Sequence, residues 1–420
     1  LVPGNVALLN SALSCNVALG RKDEAARYAA AVLKLEPAHA AARAALADVQ
    51  PANDVHPLLK LRNIYDRASA TLCDPLDVAG LSAVDRSLDA VRGLDVDVPP
   101  GSEWEGWLKH YRLAVKALDL AMVADAAPAA GKDGPVAFAS AAGTKLDWDG
   151  VQARAKRLKA RSVFFAAADR AYVDLYARWY IKSILKYADV NCLIVVHVIG
   201  GAGTLKDVAK SIGISDERLI FAGDDFDAAA VTTKCYDAPP KGLIAKPVAH
   251  FQSVRFLRLG ALLSKLKLPV FVSDIDLILQ RGVSDLLDRS EDADLVINEN
   301  AGNTNAGSRL TANLLLVNPT RNAALFLRFL KAYLEKALGQ AEVSRWIDQF
   351  GLLMARHHLT LHGKKPRIET FDTSSDINNV MYTTYQEHPF RFLSLYHGFD
   401  TSSLETDARV LGGAKKAARR

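Results

Sequence analysis

Two acids interrupt an otherwise apolar run at Phe271 to Leu279, FVSDIDLIL. A buried strand excludes unpaired charge, so Asp274 and Asp276 need a reason to be there. Side chains alternate along a strand, which predicts both carboxylates on one face. Like charges that close repel unless a cation sits between or beside them. Hard carboxylate oxygens suit Mn²⁺ or Mg²⁺, and at the carboxyl end of a parallel strand such an ion can hold a diphosphate. From the acids alone two other readings stay open: a strand that ends in a polar turn, and a metal-dependent phosphoryl-transfer site.

The elements around this pair read as α/β. VFFAAA (Val163 to Ala168), CLIVVHVI (Cys192 to Ile199), RLIFA (Arg218 to Ala222), PVFVSDIDLIL and DLVINE are short apolar runs separated by helical stretches. That alternation predicts a mostly parallel sheet covered by helices on both faces. Residues 1–125 have a different texture. Asn5 to Pro37 contains GRKDEAARYAAAVLKLEP, which resembles one tetratricopeptide repeat, with Ala25 and Ala29 small enough for close helix packing. Further helical periodicity follows in PLLKLRNIYDRASATL and WLKHYRLAVKALDLAMV, without a matching repeat. The Ala-, Gly- and Asp-rich stretch after residue 125 reads as a linker. The expected organisation is therefore a helical module at 1–125, a linker and entry segment at 126–160, an α/β domain at 161–410 and a basic tail, KKAARR, within 411–420.

Composition excludes several classes. Half of the 420 residues are hydrophobic and 24% are charged, as in a globular chain, and a net charge of +5 with scattered basic residues does not call for nucleic acid. Cys15, Cys73, Cys192 and Cys235 are far apart and form no CxxC pair, which points away from a disulfide framework or a cysteine-bound zinc. No run of about twenty apolar residues appears. The expectation is a soluble cytoplasmic protein, peripheral at an inner membrane surface if the tail meets anionic lipid. Three other motifs carry bland readings. GGAGTLKD lacks the third glycine and the Gly-Lys-Ser/Thr ending of a phosphate loop. His357, His358 and His362 in ARHHLTLH belong to a helix end. Asp224, Asp225 and Asp227 in GDDFD cap a helix.

The order of segments carries more than any one of them. FFAAADRAYVDLYARWYIKSIL, LIVVHVIGGAG, SVRFLRLGALL, SDIDLIL, LTANLLLVNPT, RWIDQFGLLM and YHGF follow one another between Ser162 and Gly398. In that order they resemble the metal-dependent glycosyltransferases of the GT-A fold, particularly the glycogenin-like and lipooligosaccharide galactosyltransferase-like group. The resemblance implies a GT-A domain in which Ala167, Ala168, Asp169 and Tyr172 line the base and ribose pocket. It implies Asp274, Asp276 and His397 as ligands of Mn²⁺ or Mg²⁺. Asp348 and Gln349 would stand near the anomeric carbon, in relatives that retain anomeric configuration. Arg255 and Arg258, three residues apart on a helix, would reach donor phosphate or sugar. The implied activity is transfer of a sugar from a nucleotide-sugar donor, UDP-linked, to a protein or glycan acceptor.

Two departures stand out. The family's Asn-Ala-Gly is Thr311-Ala312-Asn313 here, so Asn313 enters the donor-sugar side of the pocket, and the Lys that follows the last His in relatives is absent from HGFDTSS. These departures support an alternative of another class: a transferase-fold scaffold, weakly active or inactive, that binds a protein partner through its helical repeats.

Overall fold

The computed structural model describes residues 6–19, 21–49, 57–74, 78–92, 96, 98, 102–124, 146–377, 380–383, 388–395, 399 and 404. Most of the expected linker (126–145), the basic tail and His397 lie outside them. The helical part comprises α1 (Val6–Ala18), α2 (Lys22–Leu35), α3 (Ala40–Val49), α4 (Pro57–Cys73), α5 (Val78–Arg92) and α6 (Glu103–Ala124). Then come α7 (Trp148–Leu158), β1 (Ser162–Asp169), α8 (Arg170–Tyr187), β2 (Cys192–Ile199), α9 (Leu205–Ile212), β3 (Leu219–Gly223), β4 (Lys234–Tyr236), β5 (Leu243–Ile244) and α10 (Val248–Leu266). The remainder is β6 (Val270–Ser273), β7 (Leu277–Leu279), α11 (Ser284–Arg289), β8 (Leu295–Glu299), α12 (Ala306–Arg309), β9 (Leu310–Val317), α13 (Arg321–Leu338), β10 (Glu342–Ser344), α14 (Ile347–His362), β11 (Ile368–Thr370), β12 (Met381–Tyr382) and β13 (Phe392–Leu395).

The central sheet has the order β11-β8-β9-β6-β1-β2-β3, and β9 alone runs antiparallel to its neighbours. The expected mostly parallel α/β sheet is therefore present. β1 shows why it is buried on both sides. Val163, Phe165 and Ala167 join one apolar cluster and Phe164, Ala166 and Ala168 the other, as a two-residue period requires. Local caps fix where helices begin: Asp169 accepts from Tyr172 N at α8, and Thr320 accepts from Ala323 N at α13. Gly213, at φ +66°, ends α9 in the left-handed conformation.

The helical part divides into two. Leu9, Leu13, Ala25, Ala29, Val32 and Leu33 of α1 and α2, with Ala42 and Ala45 of α3, form a small cluster of their own. By contrast, Leu58, Leu61, Tyr65 and Leu72 of α4 and Leu108 and Leu118 of α6 belong to the same cluster as the α10–α13–α14 side of the sheet. Polar contacts stitch this seam. Tyr333 Oη donates to the Ala117 carbonyl (3.0 Å), and His357 Nε2 donates to the Leu72 carbonyl (2.6 Å). Burial holds the His357 imidazole down to about 4, so it stays neutral and works as a tether. Among the described residues no helix is long and apolar enough to cross a membrane.

Candidate functional site

The aspartate pair does not lie on a continuous strand. β6 ends at Ser273, Asp274 to Asp276 form a turn, and the chain resumes as β7 in a different sheet with β13 and β12. This corrects the strand geometry expected from the apolar flanks. The break is made by distant partners, because Asp274 N donates to the Asn313 carbonyl (3.0 Å) and Leu395 N donates to the Asp276 carbonyl (2.9 Å). The turn sits just beyond the carboxyl end of β6, beside that of β1, which is where ligands enter α/β sheets.

Arg255 of α10 organises the site. Its side chain is only 4% exposed, and it forms ion pairs with Asp274 Oδ1 and with Asp348 Oδ2 (3.4 Å), while donating to the Ala312 carbonyl (3.0 Å). Asp348 lies in the first turn of α14 with its side chain 2% exposed. One buried guanidinium thus links the turn, β9 and α14. Burial pushes the Asp348 carboxyl up to about 6 even though Arg255 pulls it down, and the nearby charge of Asp274 adds to the rise. Asp276 is half-buried, and burial followed by repulsion from Asp274 lifts its carboxyl to about 8. A site that resists its second negative charge is one that a divalent cation would relieve, and its hard oxygens suit Mn²⁺ or Mg²⁺. Among the described residues no three His, Cys, Asp or Glu side chains stand close enough to hold a metal by themselves.

These raised values give a sign to the pH dependence. An acid whose pKa is higher folded than unfolded keeps its proton in the native state only, so the native state binds more protons above about pH 4. Without divalent ions Asp276 is expected to cost thermal stability as pH rises from about 6.5 to 8; at lower pH the loss through Asp348 and Asp276 is opposed by the buried His357 and His250, held near 4, which favour the native state as pH rises. Mn²⁺ is expected to raise the melting temperature more at pH 8 than at pH 5. A metal-free melting temperature that falls no more between pH 6.5 and 8 in the unsubstituted chain than in Asp276→Asn would contradict the assignment.

The other expected site residues are not all gathered here. Asn313 is: its Oδ1 accepts from Asn298 Nδ2 (2.8 Å) and its Nδ2 donates to Ser394 Oγ (3.0 Å), so its amide ties β9 to β8 and β13 beneath the turn. Gln349 is turned to the backbone where α12 meets β9. Its side-chain nitrogen is oriented to donate to the carbonyls of Leu310 (2.9 Å) and Gly307 (3.0 Å). Gly307 packs so closely under the Phe350 ring that a Cβ there would come within 2.8 Å. Ala167 and Ala168, 5% and 7% exposed, end β1 on opposite faces. Asp169 spends one carboxylate oxygen on the cap of α8 (2.8 Å to Tyr172 N). The half-buried Tyr172 phenol is raised in pKa by burial and then by the charges of Asp276, Tyr176 and Asp274, so it lies within electrostatic reach of the acidic turn.

Arg258 is drawn elsewhere. It pairs with Asp224 Oδ2 (3.2 Å) in a buried cluster in which Asp224 also meets His197 Nε2 (2.9 Å) and accepts from Gly200 N (2.7 Å) and Phe226 N (3.3 Å). Burial alone would raise the Asp224 carboxyl, but His197, Gly200 and Arg258 bring it down to about 2. Of the three acids expected to cap a helix, only Asp227 does so, accepting from Ala229 N in a one-turn 3-10 helix. A histidine inside the apolar strand run CLIVVHVI, with an acidic turn after the next strand, was the sequence signal for this cluster.

No model of a protein family matches this chain, and no curated protein matches it. Parts of several solved structures are similar to it. Mouse xyloside xylosyltransferase 1 is 11% identical, over 52% of this chain and 86% of that one, with a TM-score of 0.33. The galactosyltransferase LgtC in complex with donor and acceptor sugar analogues is 12% identical, over 56% and 86%, also at 0.33. The bifunctional WbbM is 12% identical, over 77% of this chain and 62% of that one, at 0.31. All three are glycosyltransferases. At these identities and scores the likeness concerns the course of the chain alone.

Proposed function

We propose that this protein transfers a sugar from a UDP-linked donor to a protein or glycan acceptor, with a divalent metal, as the resemblance of its motifs implies. The observation that carries the proposal is the Arg255 clamp, which joins the acidic turn to Asp348 at the ligand-binding end of the sheet. Asp274 and Asp276 would hold Mn²⁺ or Mg²⁺, together with His397 as the resemblance has it. When bound, the metal supplies Lewis-acid stabilisation of the departing diphosphate.

The chain's own residues do the rest. Tyr172, beside the acidic turn, and Ala167 and Ala168, at the end of β1, are assigned to the base and ribose as the resemblance implies. Asp348, almost wholly buried and held by Arg255, orients that guanidinium rather than attacking the anomeric carbon itself. This leaves retention to an acceptor that approaches on the donor's own face. Fixed charges of this kind stabilise a developing oxocarbenium and diphosphate without reorganising. Arg258 is committed to Asp224, so donor contact is assigned to Arg255.

Thermal shift with UDP, with and without Mn²⁺, tests the donor site. A ligand at about a hundred times its dissociation constant stabilises by roughly 2.7 kcal/mol. The expected result is a rise of a few degrees that needs both UDP and Mn²⁺ and is lost in Asp274→Ala/Asp276→Ala. No shift with UDP or another nucleoside diphosphate would overturn the proposal. The scaffold reading, supported by the missing Lys after His397, would then take its place.

A further inference from the structure

A cavity of about 330 Å³ opens on the seam between the helical part and the α/β domain. It is lined by Ala40 and Arg43 of α3, Arg62 and Asp66 of α4, and Thr304 and Asn305 just before α12. That volume falls at the small end of ligand pockets, about 300–1,000 Å³. Its charges are largely spoken for. Asp66 Oδ2 accepts from Arg43 Nη1 (2.9 Å) and from Arg62 Nε (3.4 Å). Arg43 Nη2 donates to the Ala38 carbonyl (2.6 Å), and Arg62 Nη1 donates to that of Pro37.

What remains is a mixed set of hydrogen-bonding atoms. Arg43 Nε is buried and makes no hydrogen bond. Asn305 Oδ1 is occupied by Tyr65 Oη (3.0 Å) and Gly307 N (2.9 Å), while among the described residues its Nδ2 has no partner. The Thr304 hydroxyl and Asp66 Oδ1 likewise find no partner among the described residues. An anion would meet the Asp66 carboxylate, and an apolar group would strand these atoms without partners. A ring carrying adjacent hydroxyls, each both donor and acceptor, satisfies them together.

We infer that this seam cavity is a saccharide subsite that holds one sugar residue of a neutral acceptor glycan, an inference that rests on the transferase reading above. The wall formed by Thr304 and Asn305 runs directly into α12, and Gly307 in α12 offers its carbonyl to Gln349, one residue from Asp348. A sugar seated here therefore bears on the segment that borders the clamp. It also gives the helical part a share in substrate choice.

Saturation-transfer NMR on the full chain tests this, with the methyl pyranosides of glucose, galactose, mannose and N-acetylglucosamine as probes and with glucuronate and inorganic phosphate alongside. At least one neutral pyranoside is expected to receive saturation. Its affinity should fall about tenfold or more in Thr304→Tyr and in Ala40→Tyr, exposed positions where an added ring fills the cavity without disturbing a core. Asp66→Ala should do the same, and the two filling variants guard against its unsettling the arginines. The inference is overturned if no pyranoside binds, if binding is unchanged in the filling variants, or if only glucuronate or phosphate binds there. The UDP and Mn²⁺ thermal shift of the unsubstituted chain, run in parallel, separates the two failures. Its absence sinks the donor site, whereas its presence without saccharide binding sinks only the subsite.

Discussion

Replacing Arg255 with alanine is expected to lower stability by about 3–5 kcal/mol, the usual cost of removing one partner from a buried ion pair. The cost falls mainly on Asp348. Asp274 is 36% exposed and can be rehydrated, but Asp348 is 2% exposed and would be left as an uncompensated buried charge. A lysine at 255 keeps the charge yet loses the fork that reaches two carboxylates and a carbonyl at once, so Arg255→Lys should recover only part of the loss. Changing both partners, Arg255→Met with Asp348→Leu, should recover most of it, since an apolar pair of similar volume often replaces a buried ion pair with little loss. The pH dependence discriminates further. The Asp348 carboxyl already sits near 6, and losing Arg255 raises it more, so the native variant takes up a proton and the deficit shrinks at pH 5 relative to pH 8. Urea unfolding at both pH values measures this. A loss under about 1 kcal/mol, or one equal at the two pH values, would show that the clamp does not hold the site together.

The sequence made the layers of this fold readable and left its junctions hidden. β1, β2 and β6 announce themselves as apolar runs because both faces of a central parallel strand are covered, and that is a local property of the side chains. The break at Asp274 is not local. LIL after the acids is as apolar as VFV before them, and only the Asn313 carbonyl and the Leu395 amide, far along the chain, turn one strand into two. Arg255 and Arg258 are likewise indistinguishable as letters, being one helical turn apart on the same helix. Their division between the acidic turn and Asp224 follows from which strand ends lie beneath each, a matter of sheet order. Asp224 itself read as a cap because its burial depends on His197, a strand away. Gln349 was legible as a neighbour of Asp348 but not as a donor to backbone carbonyls, since a helix places consecutive residues on different sides.

The largest effect should come from cutting the chain at the boundary that the sequence suggests. A chain beginning at residue 126 is expected to fail to unfold cooperatively, whereas one beginning at residue 51 should keep a cooperative transition. The reason is where the apolar clusters lie. Starting at 51 removes α1, α2 and α3, whose buried side chains pack largely on one another. Starting at 126 also removes Leu58, Leu61, Tyr65, Leu72, Leu108 and Leu118, and so uncovers the faces of α13 and α14 that meet α6 and the side of α12 that meets α4. At about 1.5–3 kcal/mol for each fully buried side chain of this size, these six alone account for roughly 9–18 kcal/mol. That is comparable with the whole stability of a typical domain, about 5–15 kcal/mol. The same cut leaves Tyr333 Oη and His357 Nε2 without the carbonyls of Ala117 and Leu72. Calorimetry of the two shortened chains checks this, with UDP and Mn²⁺ added to report on the donor site. Cooperative unfolding of the 126–420 chain near the full-length melting temperature would mean that α4 and α6 merely rest on the α/β domain. Loss of the transition in that chain alone would make them part of its core, and the acidic turn would then depend on helices that lie more than a hundred residues away in sequence.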